Sequence, residues 1–184
     1  SKLITAGHPI HGSCAYRSAK RGDIECLKVL HKNGCYWNEK TCAYAAFNGN
    51  LECLKYAHMN GCPWNKTTLH LAVNSGHLEC VKYYINNAKE DIQLTIDRNT
   101  ASCIAIAVHN GHLHCLKFLH ENGYKMNKEV VLRQAACRGH TECVSYAVAN
   151  GCTIDLVDIC KSIRSVEHSY HRTKKLRYKR CAEY

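Results

Sequence analysis

Variants of one short sequence motif, Gly-x-Leu-Glu-Cys-Leu-Lys, recur along this chain of 184 residues. The copies begin at Gly22, Gly49, Gly76, Gly111 and Gly139, so the intervals between them are 27, 27, 35 and 28 residues. Repetition with a period of roughly 20 to 50 residues is typical of a solenoid. Each unit of a solenoid is too small to bury its own apolar face and must stack on its neighbours. We therefore expect one elongated domain with a continuous core.

Each repeat predicts a pair of helices. In the second repeat, Leu51, Cys53, Leu54, Tyr56 and Ala57 fall on one face of a helix, and an Asn-Gly pair then ends it. A second apolar segment precedes every anchor glycine. A small residue stands four positions before each of these glycines, namely Ser18, Ala45, Ala72, Ala107 and Ala135. A small side chain there lets two helices approach closely, which predicts an antiparallel helix pair.

The stretch from Thr67 to His77, Thr-Thr-Leu-His-Leu-Ala-Val-Asn-Ser-Gly-His, resembles the signature of ankyrin repeats, Thr-Pro-Leu-His-x-Ala-Ala-x-x-Gly-His. Thr68 replaces the proline of that signature. The likeness extends over about five repeats between residues 8 and 151. The motifs Leu-Glu-Cys-Leu-Lys and Asn-Gly-Cys-Pro-Trp resemble those found in ankyrin arrays of giant DNA viruses and some protists. The resemblance implies an all-α, ankyrin-type solenoid of stacked antiparallel helix pairs.

Two departures from the ankyrin pattern concern the connections between repeats. Most intervals are 27 or 28 residues, whereas an ankyrin repeat has about 33. We therefore expect shortened or absent β-hairpin fingers. The insert at residues 86–100 either rebuilds one finger or forms a surface loop. The predicted organisation is the end of a preceding repeat with a connecting turn at 1–13, about five repeats at 14–151, and a C-terminal capping repeat with a basic tail at 152–184.

The 14 cysteines and 13 histidines raise the question of a metal site or a disulfide framework. Zinc needs four converging ligands, but no Cys-x-x-Cys pair occurs in the sequence, and equivalent residues of a solenoid stand about one repeat apart. A free cysteine behaves as a small apolar residue, which suits the recurring set Cys26, Cys53, Cys80, Cys115 and Cys143. We expect these thiols in the core, with no metal, and Cys35, Cys62 and Cys152 beneath Trp37 and Trp64.

Enzymatic activity is not expected, because repeats place like groups in rows while catalysis needs unlike groups in one pocket. Cys137 and His140 are an imaginable thiol and base, but both lie near the helix junction of an ordinary repeat. The glycines are repeat boundaries, and no phosphate-binding loop is present. The sequence predicts a non-catalytic protein without a cofactor.

A protein partner is what the ankyrin resemblance implies, bound along the concave surface of the first helices. The variable positions lie five, two and one residues before each anchor glycine. The residues predicted to contact a partner are Arg17, Lys20, Arg21, Tyr44, Phe47, Asn48, Asn74, His109 and Arg138. Aromatic and arginine side chains are favoured at interface hot spots. The alternative for Tyr44 and Phe47 is packing against the neighbouring repeat.

The C-terminal segment is strongly basic. Residues 161–184 hold 8 Lys and Arg against 2 acidic residues, whereas residues 1–160 hold 17 against 13. One interpretation is a capping helix with a polar outer face. The alternative function is an accessory subunit of a nucleic-acid-containing assembly, a ribonucleoprotein or a viral particle, that contacts phosphate through this segment. The residues proposed for that contact are Arg172, Lys174, Lys175, Arg177, Lys179 and Arg180. An acidic protein and nuclear import are further alternatives.

The beginning of the sequence matches the end of an earlier repeat, so we expect a longer chain or a larger complex. Many reduced thiols indicate a reducing compartment, and the sequence shows no signal peptide and no apolar run of membrane-spanning length. We therefore expect an intracellular protein of the cytoplasm, the nucleus or a virion, with no membrane partner.

Overall fold

The computed structural model describes residues 13–88 and 102–152, and the chain divides into two compact units, Ser1–Leu94 and Thr95–Tyr184. Every regular element in these described ranges is an α-helix. The helices of the first unit are α1 (Ser13–Arg21), α2 (Ile24–Lys32), α3 (Glu39–Phe47), α4 (Leu51–Met59), α5 (Lys66–Asn74) and α6 (Leu78–Asn87). Those of the second unit are α7 (Ser102–Asn110), α8 (Leu113–Glu121), α9 (Lys128–Arg138) and α10 (Thr141–Ala149).

The helices form two layers within each unit. The first helix of each repeat, here called the inner helix, packs against the inner helix of the next repeat, so that α1 contacts α3 and α3 contacts α5. The second, outer helix packs on the inner helix of its own repeat and on the next outer helix. The second unit repeats this arrangement, with α7 against α9 and α8 against α10. The predicted all-α stack of helix pairs is confirmed.

The connections between repeats are short. Residues 33–38, 60–65 and 122–127 join one outer helix to the next inner helix, and no strand forms within the described ranges. Asparagine ends each of these three connections as the N-cap. The side-chain oxygens of Asn38, Asn65 and Asn127 accept hydrogen bonds from backbone N–H groups at 3.1, 2.9 and 3.1 Å. These caps accept hydrogen bonds from backbone N–H groups that have no partner within the first turn of a helix. The next helix can therefore begin directly after a short connection that has no β-hairpin finger.

Small residues occupy the predicted close-approach position of every inner helix. Ala45, Ala72, Ala107 and Ala135 are completely buried, and Ser18 is 7% exposed. Large aliphatic side chains at matching positions of the outer helices fill the space between the layers. They are Leu27, Leu54, Val81, Leu116 and Val144, and none is more than 3% exposed. The core of each unit therefore follows the repeat, as the sequence predicted.

The recurring cysteines are core residues, with one exception. Cys53, Cys80, Cys115 and Cys143 are at most 1% exposed, and Cys35, Cys62 and Cys152 are also buried. Cys26 is exposed, so the prediction of a buried thiol was wrong for the first repeat. The reason is position in the stack, because the described part of the chain holds no repeat that precedes α2 and packs against this thiol.

We expect the exposed thiol of Cys26 to react faster than the buried thiols of the other repeats. Burial raises the pKa of Cys53, Cys80, Cys115 and Cys143 from the ordinary 9.0 to about 11. At a pH of about 8 their thiolate fraction is then roughly a hundredfold below normal, and the thiolate is the nucleophile. We expect N-ethylmaleimide to label Cys26 within minutes and these four only after unfolding, as measured by peptide mass spectrometry. Equal labelling of Cys26 and Cys53 in the native protein would contradict the assigned burial.

Candidate protein-binding surface

Two tyrosines of the first unit pair across the inner helices α1 and α3. The ring centroids of Tyr16 on α1 and Tyr44 on α3 lie 5.3 Å apart with an interplanar angle of 31°. Both side chains are half-buried. The Lys20 Nζ atom lies 5.8 Å from the centroid of the Tyr44 ring, within cation–π range. Tyr44 therefore packs on the neighbouring repeat and also keeps part of its ring accessible.

Helix α1, which carries Tyr16, also carries three exposed basic side chains. Arg17, Lys20 and Arg21 are all exposed, and α1 contains no acidic residue. The three outer helices of the first unit differ, because each carries a Lys–Glu pair three residues apart. The distances from Nζ to Oε1 are 2.7, 2.9 and 2.8 Å for Lys28–Glu25, Lys55–Glu52 and Lys82–Glu79. A carboxylate thus neutralises one lysine on each of these outer helices, whereas no ion pair to Arg17, Lys20 or Arg21 forms among the described residues.

The remaining predicted contact residues lie in two places. Phe47 and Asn48 are half-buried at the C-terminal end of α3, where the Asn48 Nδ2 atom donates to the Tyr44 carbonyl at 2.9 Å. Asn74 is exposed at the end of α5, and His109 and Arg138 are exposed in the second unit. The structure thus brings Lys20 together with Tyr44 in the first unit. The predicted contact residues of the second unit are His109 and Arg138. The six basic residues between 172 and 180 lie outside the described residues.

Side chains from the following repeat hold the ends of the inner helices, which the sequence analysis did not foresee. The Asn50 Nδ2 atom donates to the carbonyls of Ala19 and Lys20 at 2.8 and 3.0 Å. In the second unit the His140 Nε2 atom donates to the His109 carbonyl at 3.1 Å. Both donors directly follow an anchor glycine. This position therefore braces the helix end that presents the candidate surface.

A second set of contacts between repeats joins histidine to tyrosine in the outer layer. Hydrogen bonds link Nδ1 of His31, His58 and His120 to the hydroxyls of Tyr56, Tyr83 and Tyr146 at 3.0, 2.9 and 2.8 Å. Each histidine lies nine residues after its own anchor glycine, and each tyrosine lies seven residues after the next one. That spacing was available in the sequence but becomes a contact only once repeats are stacked.

Tryptophan completes two of these contacts. The rings of His31 and Trp37 stack with centroids 4.0 Å apart, and those of His58 and Trp64 stack at 3.7 Å. Burial lowers the pKa of His58, and burial is also the main cause that raises the pKa of Tyr83. Both shifts favour the neutral forms, in which the Tyr83 hydroxyl donates to the imidazole. These His, Tyr and Trp side chains of the outer layer therefore connect successive repeats and have a structural role.

Within residues 13–88 and 102–152, no three His, Cys, Asp or Glu side chains converge in a way that fits a metal ion. His140, which the sequence offered as a base for Cys137, has its Nε2 atom engaged with the His109 carbonyl. None of the helices in the same ranges has the length and apolar character that crossing a membrane requires.

Comparison with known proteins agrees with this architecture. A family model described as three copies of ankyrin repeats matches residues 15–96 and 42–130. No curated protein matches the chain. The crystal structure of the human ASB11 ankyrin repeat domain is similar, with a TM-score of 0.65 and 21% identity, over 86% of this chain and 85% of that chain. Ankyrin repeats generally mediate protein–protein interactions and are typically non-catalytic. The chain belongs to the ankyrin-repeat family.

Proposed function

We propose that this protein is a non-catalytic scaffold that binds another protein through the inner-helix surface of its repeats. The observation that carries the proposal is the half-buried tyrosine pair of α1 and α3, with Lys20 beside the Tyr44 ring and with exposed Arg17 and Arg21 on the same helix α1. Rigid aromatic rings next to arginine are the composition that hot spots favour. The backbone that presents them is fixed, since Asn50 ties the end of α1 to the next repeat.

The proposed surface in the first unit consists of Arg17, Lys20, Arg21, Tyr44, Phe47, Asn48 and Asn74. In the second unit His109 and Arg138 hold equivalent positions and are exposed. Short connections without strands support a contact made by helix residues, since 33–38 and 60–65 leave little chain for a finger.

Replacing Tyr44 and Phe47 together by alanine tests this function. We expect partner capture from nuclease-treated extract to fall at least about tenfold, because two aromatic contacts at the centre of an interface each exceed about 1 kcal/mol. The matched control replaces Val29 and Met59, which are 45% and 78% exposed on outer helices. Quantitative mass spectrometry of the captured proteins gives the readout, with circular dichroism to verify folding. Equal capture by both double variants would refute the surface.

The basic C-terminal segment supports a second candidate, contact with nucleic-acid phosphate in a larger assembly. Its support is the charge of residues 161–184, with 8 Lys and Arg against 2 acidic residues. Under this function, deletion of residues 165–184 abolishes binding, and affinity falls steeply with salt as counterions are released. Under the scaffold function, binding survives the deletion and survives nuclease.

A further inference from the structure

We propose, on the basis of the protein-binding function above, that the first unit binds an acidic segment of its partner. The site is the basic patch, defined as Arg17, Lys20 and Arg21 on α1 together with the rings of Tyr16 and Tyr44. The partner segment carries carboxylates for the basic patch and an apolar or aromatic side chain for the tyrosines.

The inner helices of the first unit carry more basic than acidic residues. Helix α1 carries three basic residues and no acidic one, α3 carries Lys40 and Glu39, and α5 carries Lys66. Glu39 is the first residue of α3, while Phe47 is the last. Within the described ranges no carboxylate forms an ion pair with Arg17, Lys20 or Arg21. A ligand with negative charge complements this face, and such complementarity governs partner choice and association rate.

Helix capping alone does not account for the basic patch. Basic residues near a helix C-terminus interact favourably with its dipole and donate to its last carbonyls. At the end of α1, however, the Asn50 amide already donates to the carbonyls of Ala19 and Lys20. The backbone N–H of Asp23 donates to the Ser18 carbonyl at 3.1 Å. The carbonyls of Ser18, Ala19 and Lys20 therefore have donors already, which leaves the basic side chains available to a ligand.

The surroundings favour a protein segment over nucleic acid. Phosphate recognition sums many contacts along a cationic track, whereas the three charges of the basic patch are confined to the last two turns of α1. The adjoining residues of α3, Tyr44, Phe47 and Asn48, are uncharged and half-buried. Lys20 lies over the Tyr44 ring, which places a cation beside an apolar contact area. This combination fits a short acidic peptide with one ring or aliphatic anchor.

The test measures binding of the whole chain to fluorescent polymers by anisotropy. The probes are a random copolymer of glutamate and tyrosine, polyglutamate, polylysine and oligothymidylate. The patch variant is R17Q/K20Q/R21Q, and the matched control K32Q/K40Q/K66Q removes the same number of exposed positive charges. We expect the copolymer to bind more tightly than polyglutamate and to lose about tenfold in affinity with the patch variant. The control should change less than threefold, and added salt should weaken binding.

Several outcomes overturn the acidic-partner inference. They are an equal loss in both triple variants, no copolymer binding, or oligothymidylate binding at the patch as tightly as the copolymer. If circular dichroism shows that the triple variant is unfolded, K20M and R17Q are measured singly, and an unchanged affinity in both overturns it. Failure here is separable from failure of the scaffold function. One such result is a partner that is lost from the Tyr44 and Phe47 double variant and still binds R17Q/K20Q/R21Q normally. That result would support the scaffold function and refute only the proposal that the partner segment is acidic.

Discussion

Replacing Gly49 by alanine should destabilise the first unit by about 3 kcal/mol. Gly49 has a φ of +73°, where a side chain costs about 1 kcal/mol or more. The larger part comes from the next repeat, because a Cβ atom at Gly49 would lie 2.6 Å from the His77 Nδ1 atom. The Cγ atom of His77 would lie 2.9 Å from the new Cβ atom, so the whole ring of the next repeat would have to move. Urea unfolding followed by circular dichroism measures the change.

Gly61 supplies the control for this substitution. Its φ is +79°, but nothing lies within 4 Å of a Cβ atom built there. Gly61→Ala should therefore cost only the backbone strain, about 1 kcal/mol. The substitution His77→Ala should recover part of the loss in Gly49→Ala and none in Gly61→Ala, because it removes the colliding ring. Equal losses in the two glycine variants would show that the contact between repeats does not matter.

Replacing Trp64 by alanine should also cost about 3 kcal/mol, by removing a large ring from an aromatic cluster. Trp64 stacks on His58 at 3.7 Å and meets Tyr83 and Tyr84 at 5.9 and 4.6 Å. These residues belong to two successive repeats, so the substitution weakens the interface between them. In a solenoid such a loss also reduces the cooperativity of unfolding. We expect a lower urea midpoint and a shallower transition.

Tyr36 is the matched control, because it is an aromatic residue of the preceding connection and is 70% exposed. Tyr36→Ala should change the free energy of unfolding by less than about 0.5 kcal/mol. Trp37→Ala should fall between the two. Its ring stacks on His31 at 4.0 Å and meets Tyr56 at 6.2 Å. A loss for Trp64→Ala no larger than that for Tyr36→Ala would refute the role of this cluster.

The helix pairs and their core followed directly from the sequence. The anchor glycines recur at similar intervals, and small residues such as Ala45 and Ala72 recur at the same position before them, so a single repeat contains most of the information that defines its helix pair. The buried cysteines followed for the same reason, because Cys53 and Cys80 face the same surroundings in successive repeats. Cys26 differs because burial there depends on a neighbour and not on the repeat itself.

Contacts between repeats were the part that pattern reasoning missed. Asn50 and His140 stand at the N-cap positions of α4 and α10, yet neither side chain caps its own helix, and both donate to the preceding repeat. His58 and Tyr83 are 25 residues apart and meet only through stacking. For the candidate surface, the sequence predicted Arg17 as a partner contact, and the structure shows that its side chain is exposed. The pairing of Tyr44 with Tyr16 requires the distance between two inner helices, which no single repeat encodes.

Position-specific photo-crosslinking tests the central claim, that the inner-helix surface binds a protein. A photoreactive phenylalanine replaces Phe47 on α3 in one sample and Met59, which is 78% exposed on α4, in the other. Both are irradiated in nuclease-treated extract and compared by mass spectrometry. We expect protein crosslinks from position 47 at several times the yield from position 59, at distinct partner peptides. Equal yields at both positions, or crosslinks from position 59 alone, would contradict the claim.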